Sequence, residues 1–320
     1  MKPFSYATAL TPESARELAG QEGAYLAGGN DLLGLMKESI LAPKLLVNIK
    51  PIPGFNAIEQ TARSWILGAT TTLAQIENHA GLRQAFPGLH QAVAEVGSLQ
   101  IRNVATIGGN LAQHSRCWYF RHRDLVCWKK GGDTCLAREG ENRYHSIFTG
   151  CACISPVVSN LSVVLAALGA TVHVRRGDQT LKWSINELYA QAWDDPSAHH
   201  SLGSGDLILK IEIPADSRRS AYLQASEKAQ FDWALVSCAA SAQVDQGRFS
   251  RSRIVLGAVA PAPYQVNEAN QMLDGQAVDE ALAAQVADRL LRDATPVAHN
   301  QYKVAIAKAL VVRTLLLLRS

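Results

Sequence analysis

The sequence lacks the marks of export, membrane insertion and nucleic-acid binding. Its first ten residues, Met1 to Leu10, hold one lysine, no apolar stretch and no small-residue cleavage site, so a secretory leader is not expected. The most apolar run, Ala309 to Leu318, is interrupted by Arg313 and flanked by Lys308 and Arg319. It falls short of the roughly 20 residues that span a bilayer and reads as a helix that docks on the core or on a partner. Net charge is only +3, which gives no electrostatic reason to invoke nucleic acid or an acidic membrane surface. The expected location is therefore cytoplasmic, unless the folded chain is exported beside a partner that carries its own signal.

Familiar catalytic signatures are missing too. There is no G-x-G-x-x-G, no Walker lysine motif, no G-x-S-x-G elbow, no H-E-x-x-H and no EF-hand loop. A nicotinamide-type dinucleotide fold and a P-loop ATPase are thus unsupported. No internal repeat or low-complexity tract appears. What remains is ordinary globular composition, 48% hydrophobic and 18% charged over 320 residues, enough for two or three domains with their own cores.

Short strands and helices alternate through the first third. Ala24 to Ala27 reads as a strand, Leu32 to Leu41 as a helix and Leu45 to Ile49 as a second strand. Trp65 to Ala69 reads as a third strand, after which Thr70 or Thr71 could cap a helix through His79. Leu89 to Val96 follows as another helix. Helical periodicity returns at Asn160 to Leu168, and a hairpin turns at Gly177-Asp178. Leu207 to Ile213 is a strand closed by Pro214, where a domain boundary is expected. Strands at Ala234 to Val244 and Ile254 to Val259 then precede helices at Val278 to Arg292 and Asn300 to Leu318.

Two glycine loops stand out. Ala27-Gly28-Gly29-Asn30-Asp31-Leu32 follows a strand and opens a helix, and Thr106-Ile107-Gly108-Gly109-Asn110 repeats the arrangement. Adjacent glycines allow close backbone approach, and free N–H groups at a helix start favour an anion such as a diphosphate. Each alone reads better as a plain turn; two in one domain could grip both ends of a diphosphate.

Five of the six cysteines, Cys117, Cys127, Cys135, Cys151 and Cys153, lie within 37 residues, and Cys238 is remote in a strand-like run that suggests a core thiol. Their segment, residues 114–153, has no clear period, and a long irregular loop inside a compact domain is usually functional. Such local clustering in a chain of this size points to a metal rather than a disulfide framework. Nine residues separate Cys117 from Cys127, seven separate Cys127 from Cys135, and seventeen separate Cys135 from Cys153, with Cys151 a competing fourth position. Four thiolates suit either a [4Fe–4S] cluster or tetrahedral zinc. Arg116, Arg121, Arg123, Lys129 and Lys130 crowd the loop and could offset a cluster's negative charge, or form a solvated basic face. Trp118, Tyr119, Phe120 and Trp128 read as packing around it, and His199-His200 as a surface pair in a polar loop.

The two glycine loops, the segment Ile101 to Asn110 and the later stretches Gly205 to Ile208, Phe231 to Val236 and Leu256 to Ala260 resemble the FAD-binding subunits of the xanthine dehydrogenase family. The resemblance covers the whole chain in order. It implies an α+β fold: a two-lobed FAD domain of the vanillyl-alcohol oxidase type over residues 1–214, with lobes of about 1–53 and 54–214, and a smaller α+β domain over 215–320. It implies FAD held by Tyr25, Leu26, Ala27, Gly28, Gly29, Asn30, Asp31 and Leu32, and by Thr106, Gly109 and Asn110. Asn160 stands where the family usually has aspartate, and Ile208 and Gln224 fall where other members touch the flavin, Gln224 in place of a frequent lysine. Arg116 to Phe120 and Cys127 to Lys130 resemble the four-cysteine [4Fe–4S] insertion of 4-hydroxybenzoyl-CoA reductase and periplasmic aldehyde oxidoreductases. That resemblance, aligned so that the following helix stays in register, implies Cys117, Cys127, Cys135 and Cys153 as ligands, Cys153 rather than Cys151.

The resemblance also implies partners: a [2Fe–2S] small subunit, a molybdopterin-binding large subunit, and an external carrier such as ferredoxin or a quinone. Neither a molybdopterin site nor plant-type [2Fe–2S] spacing is found in this chain. The organic substrate is therefore expected to react elsewhere, with this chain relaying electrons. The gap from Cys117 to Cys127 is more like the aldehyde oxidoreductase insertion. The alternatives are a reductase-type subunit running electrons inward, a stand-alone flavoprotein oxidase with a structural zinc, and a zinc-stabilised interaction module without flavin.

Overall fold

A computed structural model describes residues 1–229 and 231–319. Strands β1 (Ser5–Thr8), β2 (Gly23–Leu26) and β3 (Leu45–Asn48) form a parallel sheet in the order β1-β3-β2. Parallel neighbours need crossovers, and short helices supply them. The first, Pro12–Ala19, starts at a reciprocal cap between Thr11 and Ser14 and buries Ala15 and Ala19. The second, Leu32–Lys37, is shorter than its periodicity suggests. Ser39 turns left-handed at φ 57, and Ile40 and Leu41 leave the helix to pack with Leu35 against Phe120 and Cys127. A tertiary contact thus overrides helical periodicity.

The second sheet is antiparallel, in the order β4-β5-β8-β6-β7, from β4 (Ile58–Gln60), β5 (Ser64–Gly68), β6 (Thr171–Arg176), β7 (Gln179–Ser184) and β8 (Leu207–Pro214). Between β5 and β6 the chain inserts a helical layer, both the second glycine loop and the cysteine loop, and the helix Asn160–Leu168. The helix after β5 begins one residue later than expected. Thr72, not Thr70 or Thr71, is its N-cap, paired reciprocally with Gln75. The backbone N–H groups of Thr70 and Thr71 are already taken, by Phe55 O and Gly68 O. Helix Asn160–Leu168 is apolar all round, as a fully enclosed helix should be; every residue from Leu161 to Leu168 is buried. It touches the helix Pro87–Ala94 on one side and the third sheet on another.

That third sheet is antiparallel, in the order β11-β10-β9, from β9 (Arg219–Ala225), β10 (Val236–Asp245) and β11 (Arg248–Gly257). Gln246 and Gly247 turn the β10–β11 hairpin with φ of 46 and 78, the paired positive angles that match strand twist. Helices Glu280–Leu291 and Tyr302–Arg319 back this sheet and share its core. The apolar C-terminal helix spends its hydrophobic side chains there, burying Leu310, Val311, Leu315 and Leu318. Among the described residues no helix is long and apolar enough to cross a membrane.

Candidate cofactor cleft and cysteine centre

The first glycine loop leaves β2 at Tyr25 and Leu26, where the Tyr25 hydroxyl donates to Gly205 O at 2.8 Å. Ala27, Gly28, Gly29 and Asn30 then cross over the end of the helix Leu99–Val104. A Cβ on Gly28 would sit 2.3 Å from Val104 O, so only glycine lets the two backbones meet. Gly29 adopts φ 74, and the Asn30 amide reaches Ile101 O at 3.4 Å. The chain from Ile101 to Thr106 is fixed in turn by Arg102. Its buried guanidinium binds Glu77 at 2.8 Å and the carbonyls of Ala94, Val96 and Gly97, each at 3.1 Å. The sequence offers one signal for this role, a cation in the helix just before a glycine loop.

In the second loop Thr106 caps the helix Ile107–Leu111, accepting from Gly109 N at 3.2 Å. Asn110 is buried and accepts from Ser159 Oγ at 2.6 Å. Beside this loop the Thr70 hydroxyl is buried with no partner, while the flanking carbonyls of Ala69 and Thr71 hold Gly108 N and Ile107 N. Asn160 donates to Gln224 Oε1 at 3.0 Å, and Gln224 donates to Glu95 at 3.1 Å. The structure therefore joins residues 25–32 to 101–110, joins Asn160 to Gln224, and links the two groups through Ser159. Ile208 sits apart from this polar network, buried in β8.

Asp31 and Leu32 start the helix Leu32–Lys37, yet Asp31 makes no side-chain cap. Its carboxylate turns toward the cysteine loop. It accepts from His114 N at 2.8 Å and Arg121 Nη2 at 2.6 Å, and pairs with Arg116. Burial alone would raise the Asp31 pKa. The hydrogen bonds from His114 and the guanidiniums of Arg116 and Arg121 outweigh it and hold the carboxyl well below the usual carboxylate range.

The cysteine loop carries only a short helix, Trp118–Arg121, and a 3₁₀ turn, Trp128–Lys130. Cys117, Cys127, Cys135 and Cys153 nevertheless line one small cavity, walled also by Phe120 and His145. Cys151 does not line it; its thiol donates to Cys153 O at 3.0 Å and its carbonyl accepts from Arg138. All six cysteines are free thiols. Among the described residues no group of three or more His, Cys, Asp or Glu is drawn together as for a single metal ion. Burial pushes the Cys117 thiol up to about 11. The neighbouring Cys153 thiol lowers Cys135, and Cys135 together with burial raises Cys153. Four cysteine sulfurs around one space are a donor set that would suit a thiolate-bound centre.

The basic residues of the loop are largely spoken for. Arg116 and Arg121 serve Asp31, Lys129 donates to Ala198 O at 2.6 Å, and Lys130 donates to His122 O at 2.5 Å. The aromatics pack as expected, Phe120 stacking on His114 with centroids 6.3 Å apart. His199 and His200 correct the expectation of a surface pair. They are half-buried, with the His199 ring 4.5 Å from His114 and 4.8 Å from Phe120, and His199 Nδ1 accepts from Ser115 N.

A cleft of about 320 Å³ opens beside this centre. Its walls come from the cysteine loop, from Val157 to Asn160, and from the third-sheet side through Trp233, Leu235 and Ala258. The Arg116 guanidinium lies over the Trp233 ring, 4.5 Å from its centroid. Of the residues expected to hold cofactor, Asn160 lines the cleft itself. The glycine loops stand one hydrogen bond behind its walls, through Asn110–Ser159 and Asp31–Arg116. Cys117 and His145 face both cavities, and His145 Nε2 lies 3.1 Å from Cys117 Sγ. Behind this shared wall is Lys303, fully buried and donating to Ala258 O at 2.6 Å and His145 O at 2.8 Å. Burial pushes Lys303 down to about 7; burial, then the Lys303 charge, brings His145 down to about 4.

A parallel lobe meets an antiparallel lobe at paired glycine loops and is followed by a helix-backed antiparallel sheet, an α+β arrangement with a cleft between its parts. Comparison with known families agrees. The model described as the FAD binding domain in molybdopterin dehydrogenase matches residues 2–216, and that of the CO dehydrogenase flavoprotein C-terminal domain matches residues 220–318. The chain belongs to the FAD-binding subunits of the molybdenum hydroxylase family and is an oxidoreductase subunit. It is 31% identical over 315 residues, 96% of each chain, to the aldehyde oxidoreductase FAD-binding subunit PaoB of Escherichia coli (strain K12). It is 28% identical to subunit alpha of the 6-hydroxypseudooxynicotine dehydrogenase complex of Paenarthrobacter nicotinovorans, covering 98% of this chain and 95% of that one. The fold is also that of a chain in quinoline 2-oxidoreductase from Pseudomonas putida 86, with TM-score 0.77, 22% identity and coverage of 100% and 98%.

Proposed function

We propose that this chain is the FAD- and [4Fe–4S]-containing electron-transfer subunit of a heterotrimeric molybdenum hydroxylase of the aldehyde oxidoreductase type. It passes electrons between a [2Fe–2S] small subunit and an external acceptor, while a molybdopterin-binding large subunit oxidises the substrate. One observation carries the reading: Cys117, Cys127, Cys135 and Cys153 line one cavity, and Cys117 is also part of the cleft wall. A thiolate-bound centre and a flavin would then be neighbours across a single layer of side chains. The likeness to an aldehyde oxidoreductase FAD-binding subunit favours outward electron flow.

In this reading residues 25–32 with Thr106, Gly109 and Asn110 cradle the FAD diphosphate, and the Thr70 hydroxyl is available to it. Asn160 and Gln224 orient the flavin side, and Trp233 and Leu235 keep water from the cleft. Ile208 supports the cradle from β8. When bound, the flavin supplies the exchange between two-electron and one-electron chemistry. Cys117, Cys127, Cys135 and Cys153 ligate the cluster, and Phe120 and Trp128 keep it dry, which tunes its potential. The chain divides near residue 214 into the FAD domain and a smaller C-terminal domain that closes the cleft.

Anaerobic purification followed by iron, zinc, sulfide and FAD analysis tests this. About four irons per FAD is the expected result for one cubane cluster. Zinc with FAD would replace the relay with a flavoprotein stabilised by a structural ion. Zinc without flavin would refute the flavin subunit altogether.

A further inference from the structure

His145 is 2% exposed, and three backbone hydrogen bonds fix it. Its N–H donates to Asn142 O at 2.9 Å, and its carbonyl accepts from Lys303 Nζ at 2.8 Å and Asn300 Nδ2 at 3.1 Å. Asn142 is itself buried and tied to Ala137 O at 3.1 Å and His299 N at 3.0 Å. Two distant parts of the chain thus converge to hold one imidazole. The ring is a poor choice for packing alone, because its buried Nδ1 has only the Asn142 carbonyl beside it and forms no well-aligned hydrogen bond. Burying an unpaired polar nitrogen costs free energy that a leucine would not incur. The other nitrogen, Nε2, lies 3.1 Å from Cys117 Sγ. The same ring faces both the cysteine cavity and the cleft.

We propose that His145 is a positioning residue for electron transfer: its Nε2–H donates to the Cys117 sulfur, raises the reduction potential of the centre bound there, and holds the wall between that centre and the flavin cleft. The inference rests on the function proposed above. The physical reason is that one added electron makes a four-thiolate centre more negative, and an N–H donor on a ligand sulfur stabilises that added charge. No proton moves; Nε2 keeps its hydrogen throughout.

The test is a redox titration of the purified complex, followed by electron paramagnetic resonance for the cluster and by absorbance for the flavin. It compares wild type with His145→Leu, His145→Gln and His145→Asn, with iron and FAD measured in each. His145→Leu is expected to lower the cluster potential. His145→Gln, whose amide nitrogen reaches as far as Nε2, is expected to restore it. Equal shifts in the leucine and glutamine variants would reduce His145 to packing and overturn the inference, as would no shift with iron retained. If the leucine variant loses iron, glutamine against asparagine decides, because the shorter amide cannot reach the sulfur; equal potentials in those two overturn it. Absence of iron from wild type would instead refute the proposed function, and the inference with it.

Discussion

Replacing Gly28 with alanine is expected to part the two glycine loops. An alanine Cβ would lie 2.3 Å from Val104 O, 3.0 Å from Val104 C and 3.1 Å from Ala105 Cα. Carbon and carbonyl oxygen settle no closer than about 3.3 Å, so the loop would have to retreat by about 1 Å. The atoms it meets are backbone, which cannot swing aside as a side chain would. Overpacking of this kind costs about 1–3 kcal/mol. Gly34, one turn into the following helix, is the internal control. It has no heavy atom within 4 Å of its Cβ position. Gly34→Ala is therefore expected to stabilise the helix by about 0.5–1 kcal/mol. The assay is thermal unfolding together with FAD retained through gel filtration. Gly28→Ala should melt earlier and lose flavin; Gly34→Ala should melt later and keep it. A Gly28→Ala protein that melts with wild type and retains full FAD would refute the close-approach argument.

Single cysteine-to-serine changes at 117, 127, 135 and 153 are each expected to reduce bound iron, while Cys151→Ser leaves it intact; equal loss at all five positions would break the ligand assignment. Asp31→Asn is expected to destabilise the protein by roughly 3 kcal/mol at pH 7, since it strands Arg116 and Arg121 in a partly buried site. Because the folded pKa of Asp31 is depressed, its contribution is complete above the usual carboxylate pKa and fades as pH falls below it. The gap between wild type and Asp31→Asn in melts should therefore shrink below about pH 4, and a pH-independent gap would count against the charge pairing. Lys303 has the opposite sense. Its folded pKa is about 7 against 10.5 for the free side chain, so between those values the unfolded chain binds the extra proton and stability rises with pH. Wild type should gain up to about 1.4 kcal/mol per pH unit over Lys303→Met from pH 7.5 to 9 in denaturant titrations; parallel profiles would show that Lys303 does not titrate there.

The helix Asn160–Leu168 and the hairpin of β6 and β7 were legible because local signals and burial agree. Asn160–Leu168 has an apolar run with a serine before it and a glycine after it, and the hairpin has alternation around Gly177. Strand β1 and the helix Pro12–Ala19 were not marked, since Ser5–Thr8 is short and mostly exposed and draws its pairing from β3. Strand β9 was missed for a similar reason: Arg219–Ala225 alternates weakly and is specified by β10. At the site, glycine doublets and clustered cysteines announced themselves by type. His145, Lys303 and the turning of Asp31 did not, because each acquires meaning only from a neighbour more than twenty residues away. Spacing alone left Cys151 and Cys153 open. In the fold Cys153 lines the cavity, while the Cys151 thiol donates to the Cys153 carbonyl.

The bridge from Asp31 to Arg116 and Arg121 makes the two loops thermodynamic partners. A ligand that orders the glycine loop also fixes Asp31, and with it both ends of the segment that carries Cys117. Reciprocity requires the same free energy in reverse: whatever stiffens the cysteine loop must tighten binding at the glycine loop by an equal factor. Ligands held at both loops in this way would bind cooperatively.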